Sequence, residues 1–264
     1  MSSTGKWALA AAGAAVSAGI WLYRENREIE VELLPVRLPG LPAAFTGMKI
    51  VLVSDLHLPH GGANPDRAAR LIAMQRPDAV CIAGDLLNSY EAFDREGLDR
   101  FARRLASIAP CYAVAGNHEL RNGWTADYAD ILQRAGVRYL QDDWTLLERD
   151  GEAVTLYGMA RRKPRPLPAG CPHPVIALAH RPELFPLYAQ AGWDLILSGH
   201  AHGGQIRIRR QGLFAPGQGT FPTYTSGLYR LHASQMAVSR GLGNSTFPLR
   251  VGNRLHLPVL ALVP

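Results

Sequence analysis

Histidines and carboxylates in this chain fall at spacings suited to holding a cation. "LILSGHAHGGQIRI" (195–208) places His200 and His202 two apart, after an apolar run and before two glycines. "VSDLHL" supplies Asp55 and His57, and "AGDLLN" supplies Asp85. "AGNHEL" supplies Asn117 and His118, and "LAH" supplies His180. Imidazole nitrogens with carboxylate and amide oxygens, and no thiolate, suit Mn²⁺, Fe or Zn²⁺ without choosing among them. With nine histidines in the chain, a lone H-x-H or D-x-H arises easily by chance. A single histidine at a strand end is more often a hydrogen-bonded structural residue. Five such blocks, each after its own apolar run, point instead to a shared ion.

The elements that must position these residues can be read from residue 48 onward. "MKIVLVSD", "DAVCIAGD" and "CYAVAGN" are continuous apolar runs ending in turns, as in strands buried on both faces. Amphipathic helical stretches separate them: "NPDRAARLIAMQRPD", "EAFDREGLDRFARRLASIAP" and, after the third run, "TADYADILQRAG". "WTLLERDGEAVTLYGMA" reads as a hairpin about "RDGE", and "PVIALAH" and "DLILSGH" as short buried strands with a helix between. Short strand candidates follow in a tail rich in glycine and proline, "QIRIR", "QMAVSR" and "PVLALV". The pattern implies an α/β fold of two mixed β-sheets packed as a sandwich and flanked by helices. Such sheets bind ligands beyond the carboxyl ends of their strands, so the five tips should converge on one crevice. Residues i and i+2 of an extended chain face the same way. Asp55 and His57 are thus expected to reach one ion, and His200 and His202 two adjacent ions. Gly203 and Gly204 leave room for a sharp turn beside them.

With 264 residues, 47% of them apolar, the chain can bury a full core in one large domain with a short appendage. The net charge is +6, and 25 of the 28 basic residues are arginine. This balance favours an anionic partner. Basic clusters stand at "RRKPRP" (161–166) and "RIRR" (207–210), with no nucleic-acid motif and no interleaved aromatics, so nucleic acid is not expected as a partner. Arg161, Arg162, Lys163 and Arg165 suit an anionic membrane surface as well as a solvated loop. Three scattered cysteines cannot form a disulfide framework, and Cys81 and Cys111 lie inside apolar runs as buried thiols.

Seventeen uncharged residues, Trp7 to Tyr23, lie between Lys6 and Arg24. As a helix they span ~26 Å, close to the ~30 Å of a bilayer core. Trp7, Trp21 and Tyr23 stand at the ends, where interfacial aromatics belong. Against a span, the segment is rich in alanine, and small residues near Val16 to Ala18 offer a signal cleavage site. The expected organisation is residues 1–28, a membrane anchor or cleaved signal with its linker, and then a domain over residues 29–264. Lys6 opposes Arg24 and Arg27, so the side of the membrane is not fixed.

The ordered blocks D-x-H, G-D, G-N-H-E, H and G-H-x-H resemble the signature of the calcineurin-like metallophosphoesterases, over roughly residues 46 to 264. "GHAHGGQIRI", "FAPG" and "SRGLGN" look like the membrane-associated bacterial branch, which implies an inner-membrane location. The resemblance implies a phosphoesterase that cleaves phosphodiester or pyrophosphate bonds with hydroxide activated by two divalent metals, Mn, Fe or Zn. Some members act on simple phosphodiesters. Others hydrolyse the pyrophosphate of UDP-2,3-diacylglucosamine in lipid A synthesis. The partner would be a phosphate-containing small molecule or a lipid-linked substrate. Asp55, His57, Asp85 and His202 would hold one metal, and Asp85, Asn117, His180 and His200 the second. His118 would be catalytic and oriented by a carboxylate. Arg121 matches a phosphate-binding arginine of some protein phosphatases. Nucleases, protein phosphatases and non-catalytic scaffolds share the fold. Nucleases commonly carry extra DNA-binding regions and protein phosphatases longer insertions, and scaffolds have lost ligands, whereas all eight metal and catalytic positions are filled here. Two departures fall on substrate fit or site rigidity: Asn88 replaces an acid common in relatives, and "GNRLHLPVL" replaces their N-R-P-E.

Overall fold

The apolar runs pair into two six-stranded sheets in a computed structural model that describes residues 3–160, 163–167, 170–244 and 247–264. The amino-terminal half supplies β1 (Ile29–Arg37), β2 (Lys49–Val53), β3 (Ala79–Ile82), β4 (Cys111–Ala113) and β5 (Val137–Tyr139). The hairpin follows as β6 (Asp143–Arg149) and β7 (Glu152–Gly158), then β8 (Val175–Leu178) and β9 (Leu195–Ser198). Two short ribbons come next, β10 (Arg207–Ile208) with β11 (Gln211–Gly212) and β12 (Phe214–Ala215) with β13 (Gly219–Thr220). The chain closes with β14 (Gly227–Leu231), β15 (Ser234–Val238) and β16 (Leu255–Val263).

One sheet runs β1-β16-β2-β3-β4-β5 and the other β14-β15-β9-β8-β7-β6. Strands β2 to β5 are parallel, and so are β7, β8, β9 and β15, so their carboxyl ends lie on common edges. Ile50, Leu52 and Cys81 of the first sheet share one buried cluster with Leu156, Ile176 and Leu197 of the second. Burying each such aliphatic side chain contributes about 1.5–3 kcal/mol. Helices α2 (Pro65–Met74), α3 (Arg95–Ala106) and α5 (Thr125–Arg134) cover the other face of the first sheet, through Ile72, Phe101, Leu105 and Leu132. Helix α4 (Asn117–Arg121) is a short turn between β4 and α5, and α6 (Phe185–Gln190) packs Phe185 and Tyr188 against the second sheet with Trp193. Cys81 and Cys111 are buried, and burial pushes the Cys111 thiol up to about 12.

The amino-terminal segment departs from expectation. It forms helix α1 (Ser3–Glu25), but no helix among the described residues is long and apolar enough to cross a membrane. Seven of the seventeen residues from Trp7 to Tyr23 are alanine and two are glycine, side chains that remove little apolar area from water. The expected spanning anchor, and with it the inner-membrane location, is therefore corrected. Of the basic run at 161–166, Arg161 and Arg162 lie outside the described residues, while Lys163 and Arg165 are exposed.

The β1–β16 pairing carries a buried polar link. The Nδ1 of His256 accepts the Arg240 N–H at 3.2 Å, so its proton sits on Nε2 and donates to Glu32 at 2.8 Å. Burial holds this imidazole down to about 4, and its N–H keeps the Glu32 carboxyl below its ordinary range. In the unfolded chain the imidazole takes up a second proton near pH 6.5, so stability falls as pH drops from about 6.5 to 4. His256→Gln should flatten this part of the pH–stability curve by up to about 3 kcal/mol in urea titrations. Parallel curves for parent and variant would show that His256 contributes nothing to it.

Candidate metal centre

Past the strand ends the backbone does not continue as extended chain. Asp55, His57, Asp85, His200 and His202 have φ of 52°, 55°, 53°, 66° and 46°. The expected i, i+2 alternation therefore does not aim these side chains; a left-handed backbone does. Each such non-glycine residue costs of order 1–3 kcal/mol and persists only where its surroundings fix it. Here the fixing groups are the site itself. The Asp55 carboxylate accepts the His200 N–H at 3.0 and 3.1 Å, and Asp85 Oδ1 accepts the His118 N–H at 2.8 Å. Gly199 and Gly116 make room for this, since a Cβ on either would strike the Asp55 or Asp85 carboxylate.

The five strand tips meet as expected. Ligand atoms of Asp55, His57 and His202 lie within 4.8 Å of one another, and so do those of Asp85, His180 and His200. Asp85 also groups with His57 and His118, which places it between the two sets. Asn117 Oδ1 stands 3.2 Å from His180 Nε2, and His118 Nε2 stands 3.9 Å from Asp85 Oδ2. All these side chains except Asn117, which is half-buried, are buried.

The donors fit divalent cations. His202 Nδ1 donates to the Gly243 carbonyl at 3.1 Å and His180 Nδ1 to the Ala83 carbonyl at 2.7 Å, which turns each Nε2 inward. His57 Nε2 and His202 Nε2 face each other at 3.2 Å, and His200 Nε2 is buried with no hydrogen-bond partner. Burial holds His57, His200 and His202 below the ordinary imidazole range, which keeps them neutral with a lone pair to give. Burial also opposes charge on Asp85 and His180, but their mutual attraction at 3.1 Å outweighs it. The carboxyl is held well below its usual range and the imidazole is raised to about 9.

A cavity of about 310 Å³ opens over the cluster, lined by Asp85, Asn117, His118, His200 and His202 together with Arg121, Arg181, Tyr90, Phe214 and Phe247. Arg121 is not a free surface arginine: it donates to the Tyr90 hydroxyl at 2.7 Å and lies over that ring. Arg181, which follows His180 directly, is a second cation on the cavity that the sequence reading passed over.

Other residues were also missed. Buried Glu119 accepts backbone N–H groups of Asp85, Leu87 and Gly116 at 3.1, 3.0 and 2.8 Å. Burial, reinforced by Asp85, raises its carboxyl to about 7. It stands in the G-N-H-E block, whose last letter was the available signal. At the Nδ1 of the His118 ring stands a backbone group that the sequence did not point to. The Nδ1 of His118 accepts the Ser89 N–H at 2.9 Å, with the Ser89 hydroxyl also at 2.9 Å. Asn88 turns away and donates to Glu91 at 2.9 Å. The altered carboxyl-terminal motif does touch a candidate ligand, because Asn253 donates to the His202 carbonyl at 2.8 Å.

Two packed mixed sheets with a buried nitrogen and oxygen cluster at their strand tips define an α/β protein with a candidate dinuclear cation centre. The chain belongs to the calcineurin-like phosphoesterase family, whose model matches residues 48–204. It is 28% identical to the phosphodiesterase YaeI of Escherichia coli over 88% of each chain. It is 30% identical to a bovine transmembrane protein with a metallophosphoesterase domain, over 88% of this chain but only 56% of that protein. A shorter match, 31% identical over 43% of this chain and 34% of the relative, is to the UDP-2,3-diacylglucosamine pyrophosphatase LpxG of Chlamydia trachomatis.

Glu119 gives the geometry a direct test. Glu119→Ala leaves three buried N–H groups without an acceptor, at about 1–3 kcal/mol each. Chemical denaturation should show a loss of at least about 3 kcal/mol, with Glu119→Gln in between. A loss below about 1 kcal/mol for the alanine variant would mean that these donors find other partners.

Proposed function

We propose that this protein hydrolyses a phosphodiester bond at the cluster, as a metal-dependent phosphodiesterase. The observation that carries the reading is the pair of three-donor groups meeting at Asp85, beneath a cavity bearing Arg121 and Arg181. Asp55, His57, Asp85 and His202 would hold one divalent cation, and Asp85, Asn117, His180 and His200 a second. When bound, the ions supply Lewis-acid charge to phosphoryl oxygens and lower the pKa of a water to make it a nucleophile. The chain's own groups do the rest. Arg121 and Arg181 orient the anionic phosphate, and Tyr90 keeps the Arg121 guanidinium from swinging into solvent. His118 is a neutral imidazole, because the Ser89 N–H occupies its Nδ1, and its proton therefore sits on Nε2 at the cavity. That N–H hydrogen-bonds the leaving oxygen as negative charge builds on it, and removing one such donor typically costs about 10²–10³ in kcat. The likeness to the Escherichia coli phosphodiesterase supports a diester in particular.

A finer reading, a nucleotide-linked lipid pyrophosphate such as UDP-2,3-diacylglucosamine, is supported by two things. Phe214 and Phe247 stand half exposed on the cavity, an apolar surface for a large ester group. The Chlamydia relative bears that substrate in its name.

The test uses purified full-length protein stripped by a chelator, with Mn²⁺, Fe²⁺ or Zn²⁺ added back. Activity on bis(p-nitrophenyl) phosphate should vanish on stripping, return with metal, and exceed that on the monoester. UDP-2,3-diacylglucosamine, run alongside, decides the finer reading by whether UMP is released. Asp85→Ala should lose both metal and turnover. His118→Ala should keep its metal and lose about 10²–10³ in kcat. Full diesterase activity in protein shown by elemental analysis to be free of metal would overturn the mechanism. Metal loss in His118→Ala as deep as in Asp85→Ala would overturn the separation of roles.

A further inference from the structure

The turn carrying His202 is held from behind, by segments outside the five strand-tip blocks. His202, Gly203, Gly204 and Gln205 all have positive φ, at 46°, 66°, 76° and 60°. Glycine adopts this region freely, but His202 and Gln205 do so only under restraint. The restraint is Asn253, which is almost wholly buried. Its Nδ2 donates to the His202 carbonyl at 2.8 Å and to the Gln205 carbonyl at 2.9 Å, at both ends of the turn. It packs so tightly beneath the turn that a Cβ on Gly203 would collide with its Oδ1. Arg250, fully buried, donates to the Gly243 carbonyl at 2.6 Å, the same oxygen that receives the His202 Nδ1–H.

Asn253 and Arg250 are themselves clasped by the end of α1. The Glu25 carboxylate accepts the Asn253 N–H at 2.7 Å and the Arg254 Nε–H at 3.0 Å. Asn26 donates to the Arg250 carbonyl at 2.9 Å and accepts the Arg250 N–H at 2.7 Å. Glu25 is 5% exposed, although the helix leading to it is exposed at Val16, Ile20, Trp21 and Tyr23. A carboxylate at the last residue of a helix meets the negative end of the helix dipole. Helix stability alone therefore disfavours Glu25 where it stands; its contacts with Asn253 and Arg254 account for it.

We propose that Glu25 and Asn26 are positioning residues of the metal centre. They lock residues 250–254, and through Asn253 and Arg250 that segment sets the aim of the His202 ring. The functional unit then begins before β1, and the amino-terminal helix ends as part of the scaffold of the site. The proposal rests on reading His202 as a metal ligand.

The experiment titrates Co²⁺ into metal-stripped full-length protein by calorimetry, with the melting temperature of the stripped protein measured beside it. Glu25→Gln, Asn26→Ala and Asn253→Asp are compared with His202→Ala and with Leu105→Ala, a core truncation on α3. Asn253→Asp keeps the side-chain shape but turns an oxygen toward two carbonyls. The positioning variants should weaken one of two binding steps about 10–100-fold and leave the other within about twofold. His202→Ala should weaken the same step at least as much. Leu105→Ala should lower the melting temperature and change neither step. Unaltered binding in Glu25→Gln and Asn26→Ala overturns the proposal, and so does an equal weakening in Leu105→Ala, which would mark a loss of general stability. Should Asn253→Asp fail to fold, the Glu25 and Asn26 variants decide alone. If His202→Ala leaves both steps intact, it is the reading of His202 as a ligand that fails, and the proposal with it. If His202→Ala loses a step that the positioning variants keep, only the positioning role falls.

Discussion

Asp85 is a carboxylate almost wholly removed from water, and it remains ionised because the raised His180 imidazole stands 3.1 Å away. Taking an isolated carboxylate out of water is costly, so that charge must be answered locally. Glu119 sharpens the requirement. It takes up the backbone N–H groups around Asp85 while its own carboxyl is pushed up to about 7, so a like charge is not forced upon its neighbour. Around this one carboxylate the strand tips of both sheets must arrive in register, because each brings a group that it needs.

That demand explains why the backbone is least regular where the chemistry is densest. Asp55, His57, Asp85, His200 and His202 share the left-handed region, and glycines at 116, 199 and 203 stand where a side chain would strike a carboxylate or Asn253. Packing of the regular sheets behind the tips offsets the strain, with Leu52, Ile82, Leu178 and Leu197 fully buried. The strands supply rigidity, and the irregular turns supply aim.

The same logic reaches the amino-terminal helix. It is not apolar enough to cross a bilayer, yet its last residue is buried against the chain that backs the His202 turn. A segment that composition marks as an appendage is joined to the site by hydrogen bonds between residues more than two hundred positions apart.

The sequence by itself determined most of the sheet strands, though not β5 or β14, together with the three amphipathic helices and the identity of nearly every group in the cluster. Those features are local: a buried strand needs a continuous apolar run, and the metal-capable residues sit immediately after such runs, as Asp55 follows "KIVLV". Only the tertiary structure decided how the side chains are aimed, because φ beyond a strand end is set by contacts from other elements. It also decided what orients His118. The loss of an acid at Asn88 was visible, but a backbone N–H has no letter in the sequence, and Ser89 reaches the ring only once the β3 loop lies over α4. Asn253 and Glu25 were invisible as site residues for a related reason. Their effect on His202 passes through backbone groups and exists only when the two ends of the chain are folded together.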